Sequence, residues 1–80
     1  MTKIEYQKCE KLMYEAIRNA KQSQEEYKES EEFLKDENKV EWEIKQRQGD
    51  QHIGYAQGIN QVLATIEFKH SDMKILSELI

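Results

Sequence analysis

Two histidines, one cysteine and sixteen carboxylates are the residues of this sequence that could bind a metal ion or move a proton. Neither His52 nor His70 has a second His, Cys or carboxylate at ligand spacing that stands out from a generally Glu-rich background, so no metal centre is expected. Cys9 falls on an apolar stripe, where a free thiol behaves as a small hydrophobe. A nucleophile would need an adjacent base and a pocket, and a chain of this size offers neither. The sequence therefore reads as a non-enzyme without metal or cofactor.

Charge is the stronger signal. From Glu25 to Glu43 there are nine acidic residues and three lysines, a balance of −6, whereas residues 1–24 are +2 and residues 44–80 are neutral. If the chain folds back near this block, the molecule is a rod with one acidic and one mildly basic end. Tyr27, Phe33 and Trp42 are interleaved among the carboxylates. Aromatic anchors with an acidic rim would suit a basic protein partner, so Glu29, Glu31, Glu32, Phe33, Asp36, Glu37 and Trp42 are candidate partner-binding residues. A solvated helix face is the plainer reading of the same charge run. An isoelectric point near 5.2 argues against direct binding of nucleic acid, which demands a basic footprint.

The elements that must position these residues are helices. The sequence has no proline, and its first glycine is Gly49. Positions 6, 9, 13, 16, 20, 23, 27, 30 and 34 recur at steps of three and four, predicting a helix over about residues 2–35 with Glu, Lys and Gln on its other faces. Lys35-Asp36-Glu37-Asn38 is the expected reversal. Tyr55, Ile59, Val62 and Ile66, with Ala56 and Leu63 alongside, predict a second helix, extending over about 39–69 with a break near Gly49 as an alternative. Within it, Val40-Glu41-Trp42-Glu43-Ile44 alternates like a strand, but Lys, Glu, Gln and Arg favour helix. Ser71 sits where an N-cap belongs, ahead of a short helix over about 72–80.

The fold class expected is thus all-α: a long antiparallel hairpin plus a short C-terminal helix, in one domain of residues 1–80. The register expected places Cys9 near Ile66, Met13 near Val62, Ala16 near Ile59 and Ala20 near Tyr55. Nearer the turn it sets Ser23 opposite His52 and Tyr27 opposite Gln48, a looser arrangement. Leu, Ile, Val and Phe number only 17 of 80 residues, close to the roughly 20% below which chains fail to fold, so assembly into an oligomeric bundle, most simply a dimer, is the natural supplement. Gly54 and Gly58 lie one turn apart on the second helix and suggest a closely approached backbone. Packing within the chain would explain them, as would a subunit interface made of Gly54, Gly58 and Thr65 with Leu76, Leu79 and Ile80.

At the other end, Lys8, Lys11, Lys69, His70 and Lys74 gather with Tyr6 and Tyr14, an alternative site for a phosphate-bearing small molecule held by an oligomer. Solvated lysines account for the same cluster. The single cysteine fits a reducing compartment, and the start of the sequence has no apolar leader segment; a cytoplasmic protein without a membrane span is expected.

The stretch Gly54-Tyr55-Ala56-Gln57-Gly58-Ile59-Asn60-Gln61-Val62-Leu63, following a Glu/Lys-rich helix, resembles the C-terminal halves of short helical proteins encoded by phages and prophages of Gram-positive bacteria. That resemblance implies a role in host takeover or counter-defence by binding one host protein or one signalling molecule; the acidic end, in the extreme form of its reading, would mimic nucleic acid. It assigns no site residues.

Overall fold

A computed structural model describes all 80 residues; it has three α-helices and no strands: α1 (Lys3–Lys35), α2 (Lys39–Thr65) and α3 (Met73–Leu79). α1 and α2 form an antiparallel hairpin within a rod of 52 × 17 × 17 Å, and α3 folds back along α1.

Helix ends follow local chemistry. Thr2 opens α1 with a capping box: the Glu5 amide donates to the Thr2 hydroxyl at 3.1 Å, and the Thr2 amide donates to Glu5 Oε1 at 3.3 Å. These bonds hold the Glu5 carboxyl below the usual carboxylate range. α1 stops because Glu37 adopts a left-handed φ of 59°, which lets the Asn38 amide donate to the Phe33 carbonyl and the Glu37 amide to the Leu34 carbonyl. Asn38 then caps α2 by accepting from the Glu41 amide.

The same device ends α2. Glu67 has φ 58°, Phe68 N–H donates to the Leu63 carbonyl, and Glu67 N–H donates to the Ala64 carbonyl. Phe68 is thereby folded onto Leu63 in the core. The second helix therefore ends at Thr65 rather than near Lys69, and it runs unbroken through Gly49. The cap of α3 is Asp72, not Ser71, and its side chain makes no capping bond.

Cys9, Met13, Ala16, Ala20, Ser23 and Ser30 of the expected α1 stripe are buried, joined by Ile17 and Glu26, whereas Tyr6 and Leu34 at its ends stay exposed. On α2 the buried residues are Gly49, Ala56 and Leu63, seven positions apart, with Ile53 and Ile59 packed beside them. The stripe expected to face α1 is therefore displaced, because Tyr55, Val62 and Ile66 are about half exposed. Gly49 and Ala56 are small enough for the helices to approach, and the bulkier residues are left on a neighbouring face.

Toward the turn the interior becomes polar. Ser23 donates to the Gly49 carbonyl at 2.9 Å, Tyr27 bonds Asp50, His52 bonds the buried carboxylate of Glu26, and Gln46 donates to Ser30 Oγ at 2.7 Å. Ser23 thus meets Gly49 rather than His52, and Tyr27 meets Asp50 rather than Gln48. No buried side-chain nitrogen or oxygen lacks a partner, so hydrogen bonds hold this half where apolar side chains run out.

Candidate interaction surfaces

The acidic end is built by the last turns of α1 and the first turns of α2. Glu31, Glu32, Asp36 and Glu37 are exposed, and Glu29 pairs with Lys45 at 2.9 Å, which pushes the lysine pKa up. Phe33 and Trp42 are half-buried, while Leu34, Val40 and Ile44 are the apolar side chains that stand in solvent there.

At the base, the residues considered for a phosphate-bearing ligand divide into two groups. Tyr6, Tyr14 and His70 join Phe68 in an aromatic cluster with ring centroids 5.1–6.2 Å apart. The Asp72 amide donates to His70 Nδ1 at 3.0 Å, so the ring proton sits on Nε2, which donates to Glu10 Oε2 at 2.8 Å. Tyr14 donates to Asp72 Oδ2 at 2.6 Å, a bond that pushes the phenol pKa up to about 12. These polar atoms face one another, making a clasp that ties the segment after α2 to α1. Lys8, Lys11, Lys69 and Lys74 are exposed around it, and none of them lines either surface depression. No three His, Cys, Asp or Glu side chains converge on a point where a metal ion could sit.

The glycine pair lies elsewhere, in a groove of about 400 Å³ between α1 and α2. Leu12 lines one side, and Gly54, Tyr55, Gly58, Ile59, Val62 and Leu63 form the rest. A side chain begun at Gly54 or Gly58 would meet open space, so packing within the chain does not explain either glycine. The glycine whose backbone is closely approached is Gly49, by Tyr27. Thr65 is exposed on α2, its hydroxyl bonded to the Gln61 carbonyl. Leu76 is wholly buried in its own chain, which removes it from the expected interface, whereas Leu79 is only partly buried against the same core and Ile80 is exposed. A second, polar depression lies between Leu79 and the Arg18–Glu25 part of α1.

Sequence reasoning singled out the two glycines but missed their surroundings. From Gln51 to Ile66 there is no Asp, Glu, Lys or Arg, in a chain of which 35% is charged. That run, with Tyr55 and Val62 projecting beside two glycines, was the available signal; Leu12, from α1, had none.

Compared with protein-family models, curated proteins and solved structures, the chain finds no match. No helix is long and apolar enough to cross a membrane.

Proposed function

We propose that this chain is a small non-enzymatic interaction protein with two working surfaces. The uncharged groove face of α2 assembles the protein, and the acidic end engages a partner protein with a basic surface. The observation that carries the reading is the charge-free run from Gln51 to Ile66 together with the open apolar groove it builds beside Leu12. Charged residues are depleted at the cores of protein interfaces, and contiguous exposed apolar surface on a small chain marks a contact site. Four exposed carboxylates at the end of α1 and in the turn that follows it supply a field that would speed encounter with a basic surface. If residues 54–63 belong with phage-encoded helical proteins, the partner is a host protein and inhibition is the outcome.

The test compares three proteins in cross-linking from a bacterial lysate, read by mass spectrometry. Reversing Glu31, Glu32, Asp36 and Glu37 to lysine should remove the captured partner, while Val62→Glu should remove self-association. A capture pattern indifferent to both changes would overturn the proposal.

A further inference from the structure

Resting on the reading that the uncharged face of α2 is an assembly surface, we infer that its groove is filled by α2 of a second copy of this chain, running antiparallel about a two-fold axis near Gly58. The occupant must be apolar, uncharged and able to enter a gap floored by glycine. α2 itself presents those properties: Val62 and Tyr55 project from the same face on which Gly54 and Gly58 leave space. A two-fold contact must be self-complementary. With the axis at Gly58, Val62 is placed over the partner copy's Gly54, four positions from the axis in each case, so the projection of one copy enters the hollow of the other.

The chain's own third helix does not reach this groove. α3 is held on α1 through Tyr14, and Leu12 lies about 200° from Tyr14 around the helix, on the opposite flank. Charge selects the direction of the second copy. Parallel pairing would set the −6 segment from Glu25 to Glu43 beside its twin, whereas antiparallel pairing sends the two segments to opposite ends of the dimer.

Area is consistent with one such contact. The chain exposes 5842 Å². A compact monomer of its 9.6 kDa mass exposes about 5,100 Å². The excess of roughly 700 Å² is the surface of an elongated rod, and a second rod laid along the uncharged α2 face would cover part of it.

Sedimentation equilibrium of the full chain at tens of micromolar should give twice the 9.6 kDa chain mass. With the axis at Gly58, 20 residues or about 30 Å from the Asn38 end of α2, the two rods should reach a maximum dimension of roughly 65 Å in small-angle scattering, against 52 Å for one rod. In a Cys9→Ser background, Gly58→Cys should oxidise to a covalent dimer while Asp36→Cys does not. Val62→Glu, at a position 57% exposed in the monomer, should halve the mass with helix content retained. If that variant unfolds, the cysteine pair still decides. A monomeric parent protein, or cross-linking at Asp36 without cross-linking at Gly58, overturns the inference. A monomer that still captured a partner through its acidic end would leave that part of the functional reading standing, so the two failures are distinguishable.

Discussion

The ring of Tyr27 occupies the space in which a side chain at Gly49 would begin: a Cβ there would come 2.7 Å from Cε1 of Tyr27. The ring is not free to swing aside, because its hydroxyl bonds Asp50 and the neighbouring Ser23 bonds the Gly49 carbonyl.

Gly49→Ala should therefore destabilise the protein although alanine is the better helix former. Overpacking costs about 1–3 kcal/mol against roughly 1 kcal/mol gained in helix propensity, a net loss of about 1 kcal/mol. In a chain this short that lowers the melting temperature by about 4–8 °C. Gly54→Ala, where the added methyl meets nothing within its own chain, should raise it. Thermal melts followed by circular dichroism at low concentration would separate the two; equal shifts would show that the Tyr27 ring yields.

Leu76 gives a second expectation. It is the fully buried residue by which α3 joins the core, so Leu76→Ala should cost about 2–5 kcal/mol. That is a large part of the total stability of a domain of this size, about 4–12 kcal/mol. Removal of residues 72–80 also deletes the Asp72 acceptor of Tyr14 and should lower the melting temperature further. A truncated protein as stable as the parent would mean that α3 contributes nothing to the hairpin.

Tyr14 provides a test by pH. Its folded pKa, about 12, lies above the ordinary phenol value of 10.0 because the neutral hydroxyl donates to Asp72. The neutral form is the one that folding favours, so the stabilisation is fully present below pH 10 and is lost as the pH rises through about 12. Ultraviolet titration should find two tyrosines ionising late, Tyr14 and the Asp50-bonded Tyr27, and Asp72→Asn should bring Tyr14 alone back toward Tyr6 and Tyr55. If all four tyrosines ionise together in the parent, the bond is not maintained in solution.

Ionic strength should divide the two surfaces. The α2 face proposed for self-association carries no formal charge from Gln51 to Ile66, so the dissociation constant of a dimer built on it should change little between about 0.05 and 0.5 M salt. Partner capture through Glu31, Glu32, Asp36 and Glu37 should weaken steeply over the same range. Sedimentation and cross-linking at matched salt concentrations measure both; parallel losses would place charge at the self-association contact.

Most of α1 was legible because small and apolar residues at steps of three and four can only be collected by one helix face. The turn was legible too, since Asp36 and Asn38 favour caps over helix interiors. α2 was misread in part: Ala56, Leu63 and Ile59, expected on its apolar side, lie in or against the core, but Tyr55, Val62 and Ile66 were placed with them. It carries two apolar stripes, and the one with the larger side chains, Tyr55, Val62 and Ile66, suggested the core. The buried stripe uses Gly49 and Ala56, whose value is the space they leave. Burial of Glu26 was equally hidden, because a carboxylate inside an acidic run reads as solvated until His52 is seen to face it. The stop after Thr65 lacked a glycine or asparagine to announce it, since Glu67 takes the left-handed position.

From base to turn, the hairpin changes from an apolar interior closed by α3 to one held by side-chain hydrogen bonds. Segments with fewer buried apolar contacts open at lower free energy, so the rod behaves as a zipper whose teeth part first at the acidic end. Amide exchange should be fast over residues 31–43 and slow around Met13 and Leu63. A partner gripping the two helix ends there would hold the slider shut, and its binding would show as slower exchange over residues 31–43.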